Sequence, residues 1–235
     1  MAIERAAVLG AGVMGSGIAA HIANAGVPVL LLDVVPEGAS DRNVLAKSAL
    51  ARMQKADPAP FMTAQAARLV TPGNLEDDLE KLGEVDWIVE AVVENLEVKR
   101  ALYARVEAAR KRGSIVSSNT STLPLARLTE GLPESFVADF LITHFFNPPR
   151  YMRLLEIVQG PKTRPDAVST LADFADRRLG KSVVMCKDTP GFIANRIGSY
   201  WMQAAFAAAF ETGLPVEEAD AVLGRPLGIP KTGVF

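Results

Sequence analysis

The stretch Gly10-Ala11-Gly12-Val13-Met14-Gly15 restricts the possible folds of this chain more than any other. It follows the strand-like IERAAVLG and opens a segment whose Ile18 and Ile22 share a helical face. An acid, Asp33, closes the next apolar run, eighteen residues past the last glycine. The spacing G-x-G-x-x-G is weak evidence alone. In the context of strand, turn, helix, strand and acid it selects a dinucleotide-binding unit. Gly10 permits the tight turn, Gly12 lets the backbone approach a pyrophosphate, and Gly15 lets the helix pack close to the strand. The helix start at Val13 and Met14 offers amides and a partial positive charge to phosphates. Asp33 suits ribose hydroxyls and repels a 2′-phosphate, so NAD is expected over NADP. A flavin, whose ADP half uses the same fingerprint, is the second reading.

The rest of the chain alternates strand and helix, which predicts an α/β fold with a doubly wound, mainly parallel sheet. Strands are expected at VPVLLLD, ARLVTPG, VDWIVEAV, SIVSSNTS, FLITHFFNPP, RLLEIVQG and KSVVMCKD. The helix ASDRNVLAKSALARMQKA has Ser40 or Asp41 as its expected cap. Arg110-Lys111-Arg112 reads as the charged end of another helix. From Thr189 onward the pattern is helical only. Its apolar residues spread widely enough to predict a helix buried on much of its surface. These shifts predict a nucleotide-binding domain over 1–187 and the beginning of a truncated helical domain over 188–235. A helical unit that small cannot easily bury itself, which points to missing chain or a partner chain.

Composition removes several classes. The net charge is −2 and basic residues form no stripe, so a nucleic-acid partner is not expected. Residues 6–32 carry no formal charge, but their glycines, His21, Asn24 and Pro28 fit a strand, turn and helix better than a membrane span. Cys186 is the single cysteine. It supports neither a disulfide framework nor a metal cluster, and it suits a reducing cytoplasm.

Carboxyl ends of parallel strands face the ligand crevice. That rule places Ala91, Val92, Glu94 and Lys99 after one strand, Asn119 and Ser121 after the next, and His144 at the end of a third. Each has an ordinary alternative. Glu94 and Lys99 also fit solvated charges opening a helix, SSNTST a helix cap, His144 a core histidine, and Glu156 a surface ion pair.

Together, GAGVMGSGIA, VEAVVENLEVK, SNTS, HFFNP, an isolated glutamate and KDTPGFIANR, in that order, resemble the L-3-hydroxyacyl-CoA dehydrogenase family. The resemblance covers essentially the whole chain. It is nearest to the branch in which the dehydrogenase is part of a longer fatty-acid oxidation protein, often joined to an enoyl-CoA hydratase. It implies NAD-dependent oxidation of (S)-3-hydroxyacyl-CoA to 3-oxoacyl-CoA in fatty-acid β-oxidation. It also implies a cytoplasmic homodimer joined through the helical domain. His144 would be the catalytic base, oriented by Glu156, with Ser121 and Asn195 on the substrate's 3-oxygen. Asn119, Glu94 and Lys99 would lie along the cofactor and substrate channel. The segment after Asp33 would help to hold coenzyme A, with Lys47 and Lys55 as unassigned candidates for its phosphates. Phe145 and Phe146 would dry the site. Asn147-Pro148-Pro149 would turn the chain so that the strands bearing His144 and Glu156 meet, because an unpaired buried carboxylate costs several kcal/mol. Two other readings remain. A related hydroxy-acid dehydrogenase tends to use a helix-borne lysine, and residues 189–211 contain none. A non-catalytic NAD-binding scaffold has no need of intact His144, Glu156, Ser121 and Asn195.

Overall fold

The computed structural model describes residues 2–228 and residue 235. It divides into two compact units, Met1–Thr189 and Pro190–Phe235. In the first unit the strands are β1 (Ala6–Leu9), β2 (Val29–Asp33), β3 (Val70–Asn74), β4 (Trp87–Glu90), β5 (Ile115–Ser118), β6 (Phe140–Phe145), β7 (Leu154–Gln159) and β8 (Ser182–Cys186). They form one sheet in the order β3-β2-β1-β4-β5-β6-β7-β8. All neighbours run parallel except the antiparallel pair β6 and β7. Its helices are α1 (Val13–Asn24), α2 (Val44–Lys55), α3 (Ala64–Ala67), α4 (Leu96–Ala109), α5 (Leu125–Leu128), α6 (Glu134–Asp139) and α7 (Pro165–Arg177). The second unit holds α8 (Ala194–Thr212) and α9 (Val216–Leu223). The expected doubly wound sheet, followed by a helical region, is present.

The sequence explains the strands simply. A central parallel strand is covered on both faces and reads as an unbroken apolar run. β1, AAVL, and β4, WIVE, are fully buried. Pro72 is tolerated in β3 because β3 is an edge strand. Chain order reverses between β1 and β4, and that switch point opens the crevice.

Two expectations fail here, and two features were not foreseen. The α2 helix begins at Val44, after Asn43, and neither Ser40 nor Asp41 caps it. Asp41 accepts from the Asn43 amide and pairs with Lys47 instead. Arg110 does cap the end of α4, as expected, but its burial was not foreseen. It is buried, and donates to Asp139 at 2.6 Å and to the Ser114 carbonyl at 2.9 Å. α5 and α6, unforeseen, fill the connection from β5 to β6. Finally, α8 buries only Ala205 and Ala209, while Tyr200 is 77 % and Phe210 79 % exposed. Phe206 packs on Phe235 at 4.8 Å, but most of the helix's apolar surface is not buried among the described residues.

His21, on α1, is structural. Its Nε2 donates to the Leu179 carbonyl at 3.0 Å, and Nδ1 has no hydrogen-bond partner among the described residues. Burial, with the nearby Lys181 charge, pushes its pKa down to about 4. The unfolded chain takes up this proton near pH 6.5 and the native state does not, so stability falls with pH from about 6.5 to 4. The expected loss is roughly 3 kcal/mol. Urea unfolding at several pH values checks this, because His21→Gln should flatten that part of the profile.

Candidate active site

The turn after β1 is shaped by its neighbours. Gly10 has φ +103°, and a Cβ there would stand 2.5 Å from the Ala91 carbonyl oxygen. A Cβ on Gly15 would stand 1.9 Å from the Gly10 oxygen. Gly12 differs, since a Cβ there meets no protein atom within 4 Å. The open space at Gly12 borders a cavity of about 490 Å³ lined by Gly10, Gly12, Asp33, Ala91, Val92 and Val98, among others. Asp33 is fixed by the amides of Ala11 and Val34, at 2.6 and 2.7 Å. Its remaining lone pairs are available to ribose hydroxyls. Val13 is exposed at the helix start, and no acidic residue stands in the first turn of α1. Met14 packs against the core, so its contribution to the crevice is its backbone. A cradle open at a glycine, a bare helix N-terminus and a held carboxylate fit a dinucleotide.

At the C-terminal end of β6 stands His144, directly opposite Glu156 of β7. Both are buried. His144 Nδ1 lies 2.7 Å from Glu156 Oε2, and Nε2 lies 3.1 Å from Ser121 Oγ. A carboxylate only accepts, so Nδ1 carries a proton, and in the neutral form of the ring Nε2 is then the acceptor. The antiparallel pairing explains how a histidine and a glutamate twelve residues apart meet inside an apolar sheet. Phe145 and Phe146, expected to act as a pair, separate. Phe146 packs edge-on to His144 at 4.5 Å, whereas Phe145 alternates to the other face and stacks on Trp87. Asn119 Oδ1 accepts from the Phe145 amide at 2.9 Å, tying the end of β5 to β6. Burial, with Glu156 beside it, pushes the Cys186 thiol up to about 11. Cys186 is thus a neutral thiol near pH 7 and no nucleophile.

Lys99 is not the solvated charge that its ordinary alternative supposed. It is 1 % exposed, and its ammonium lies 2.6 Å from Glu90 and 3.2 Å from Glu94. The sequence reading missed its partner Glu90, which ends β4 and looked like part of an apolar run. Glu90 also accepts from Tyr103 Oη at 2.5 Å, Ser118 Oγ at 2.7 Å and the Val92 amide at 2.8 Å. Tyr103 remains a neutral donor, since burial and the Glu90 charge push its pKa well up. Glu94, partly exposed, accepts from Thr120 and Thr122 on either side of Ser121. Lys181, also missed, is buried and donates to the carbonyls of Pro149 and Met152 behind the β6–β7 turn. Asn195 lies in the second unit, at the second residue of α8.

Comparison with known proteins bears on this geometry. The family model for the NAD-binding domain of 3-hydroxyacyl-CoA dehydrogenase matches residues 5–189. The chain belongs to the 3-hydroxyacyl-CoA dehydrogenase family. It is 49 % identical to a probable 3-hydroxyacyl-CoA dehydrogenase of Bacillus subtilis over 99 % of this chain and 31 % of that protein. It is 48 % identical to a probable 3-hydroxyacyl-CoA dehydrogenase of Deinococcus radiodurans over 100 % of this chain and 68 % of that protein. The crystal structure of FadB2 from M. tuberculosis superposes with a TM-score of 0.82 at 30 % identity, covering 98 % of this chain and 80 % of that one. The chain therefore spans under a third of its Bacillus relative and about two thirds of its Deinococcus relative. Family membership makes NAD the cofactor of the crevice, and no flavin is needed to account for it.

Proposed function

We propose that this chain oxidises (S)-3-hydroxyacyl-CoA to 3-oxoacyl-CoA, with His144 as general base oriented by Glu156. The observation that carries this reading is the Ser121–His144–Glu156 chain of contacts at the end of β6, on the sheet edge that also bears the dinucleotide cradle. Bound NAD supplies the hydride acceptor. The protein's own tasks are to take the hydroxyl proton and hold the reacting carbon in place. Nε2 of His144 is the acceptor for that proton, and Ser121 is near enough to share the same substrate oxygen. As the imidazole gains a proton, Glu156 stabilises the imidazolium through Nδ1–H. Phe146 limits water beside the ring. Asn195 is proposed as a second donor to the developing ketone oxygen, a role of the electrostatic kind that is often worth a few kcal/mol. In the cofactor half, Gly10, Gly12, Val13, Met14, Gly15, Asp33, Ala91, Val92 and Asn119 line or shape the crevice. Glu94 and Lys99 are proposed to act together along the same crevice.

The natural assembly goes with this reading. The apolar side chains that α8 leaves exposed support a homodimer through the helical unit. The small share of the Bacillus relative that is covered supports a longer fatty-acid oxidation protein, with an enoyl-CoA hydratase as the expected companion. No helix among the described residues is long and apolar enough to cross a membrane, and a cytoplasmic location is proposed.

Steady-state reduction of acetoacetyl-CoA, followed as cofactor consumption, tests the proposal. Turnover with NADH, far less with NADPH, and none with free acetoacetate is the expected result. Equal use of free acetoacetate would remove the CoA ester from the substrate class.

A further inference from the structure

Around Lys99, one set of charges closes on itself. Lys99 Nζ joins Glu90 Oε1 and Glu94 Oε2. Glu94 Oε1 accepts from Thr120 Oγ1, the Thr120 amide donates to Ser118 Oγ, and Ser118 donates to Glu90 Oε2 at 2.7 Å. The ring holds two carboxylates and one ammonium. Burial pushes the Glu94 carboxyl up, but the Thr120 hydrogen bond and the Lys99 charge outweigh it and hold the group below its usual range. The ring thus carries one negative charge that no side chain within it balances.

The position of that charge matters. A hydride can pass only if the nicotinamide sits against the carbon whose hydroxyl meets His144 and Ser121. Ser121 stands between Thr120 and Thr122, the two hydroxyls that Glu94 accepts. Glu94 is therefore the carboxylate held by the loop that borders the nicotinamide place. The oxidised ring carries a positive charge and the reduced ring carries none, whereas the ADP half is the same in both forms. A fixed charge near the nicotinamide separates the two forms, and one near the adenosine does not.

We infer that the Glu90–Lys99–Glu94 ring, through its one uncompensated negative charge, sets the preference of this site for oxidised over reduced NAD. The inference rests on the dehydrogenase reading above. Its chemical sense is that alcohol oxidation moves a positive charge from the nicotinamide to the His144 imidazole. Glu94 steadies that charge before transfer and Glu156 after it. A ring of zero charge would leave only the second of these effects.

The test is calorimetric titration of the full chain with NAD+ and with NADH, on the parent, Glu94→Gln and Glu94→Asp. Glu94→Gln keeps an acceptor for the threonines and leaves Lys99 paired with Glu90, but removes the net charge. The ratio of the NAD+ to the NADH dissociation constant is expected to rise roughly fivefold to tenfold in Glu94→Gln. A tenfold change corresponds to about 30 mV in the potential of the bound two-electron couple. Glu94→Asp, which keeps the charge, should stay near the parent ratio. An equal change in both constants for Glu94→Gln would overturn the inference and leave the dehydrogenase reading standing. So would a ratio shifted alike by Asp and Gln, because contact geometry and not charge would then be responsible. Failure of the parent to bind either form would overturn both.

Discussion

Replacing His144 with Gln should lower the rate of acetoacetyl-CoA reduction by roughly a thousandfold, while NADH binds within about twofold of the parent. The separation follows from the placement of the groups. The cofactor cradle is made by the turns after β1, β2 and β4, whereas His144 ends β6 on the far side of β5. Glutamine keeps comparable bulk between Ser121 and Glu156, so the pocket is not emptied. What it loses is the ring nitrogen that, on the proposed reading, delivers the proton to the ketone oxygen in the reductive direction. Stopped-flow kinetics and NADH titration read the two effects separately. An equal loss of rate and of NADH affinity would mean that His144 shapes the cofactor site instead.

A second large effect is expected in stability. Lys99→Met should destabilise the chain by about 3–5 kcal/mol, because it leaves the buried Glu90 carboxylate without its cation. Tyr103, Ser118 and the Val92 amide would still donate, but none of them balances the charge. Lys47→Met is the fitting control. Lys47 is paired with Asp41 at 2.8 Å, but both side chains are about half exposed. Exposed pairs of this kind contribute little, so its urea midpoint should stay close to the parent's. Equal effects from the two substitutions would show that the buried ring matters no more than a surface ion pair.

These two residues also show what the sequence can and cannot carry. His144 and Glu156 were legible because both break an apolar strand pattern, and a turn of Asn-Pro-Pro lies between them. The glycine turn was legible because each glycine answers a backbone requirement fixed by the fold. The burial of Lys99 was not legible because its helical position reads the same whether the side chain faces solvent or the sheet. Only the neighbouring strand end supplies its partner, and Glu90 there is masked by the hydrophobic residues around it. The burial of Arg110 was hidden for the same reason. Its partner Asp139 is twenty-nine residues away and no local pattern announces it. Phe145 and Phe146 were treated as a pair, although strand alternation sends them to opposite faces. The doubly wound, mainly parallel sheet and the crevice were thus readable from periodicity and motif, while the strand order and the buried ion pairs depended on long-range contacts.

The most direct test of the central claim is a single turnover. The chain loaded with NADH is mixed with acetoacetyl-CoA, and loss of NADH is followed in the parent and in Glu156→Gln across pH 5 to 9 (about the range in which histidine changes charge). The predicted result is rapid loss in the parent, with a pH dependence that Glu156→Gln displaces and slows because His144 has lost its carboxylate. A pH profile identical in the two proteins, at the same rate, would contradict the assignment of the His144–Glu156 pair as the proton-transfer group.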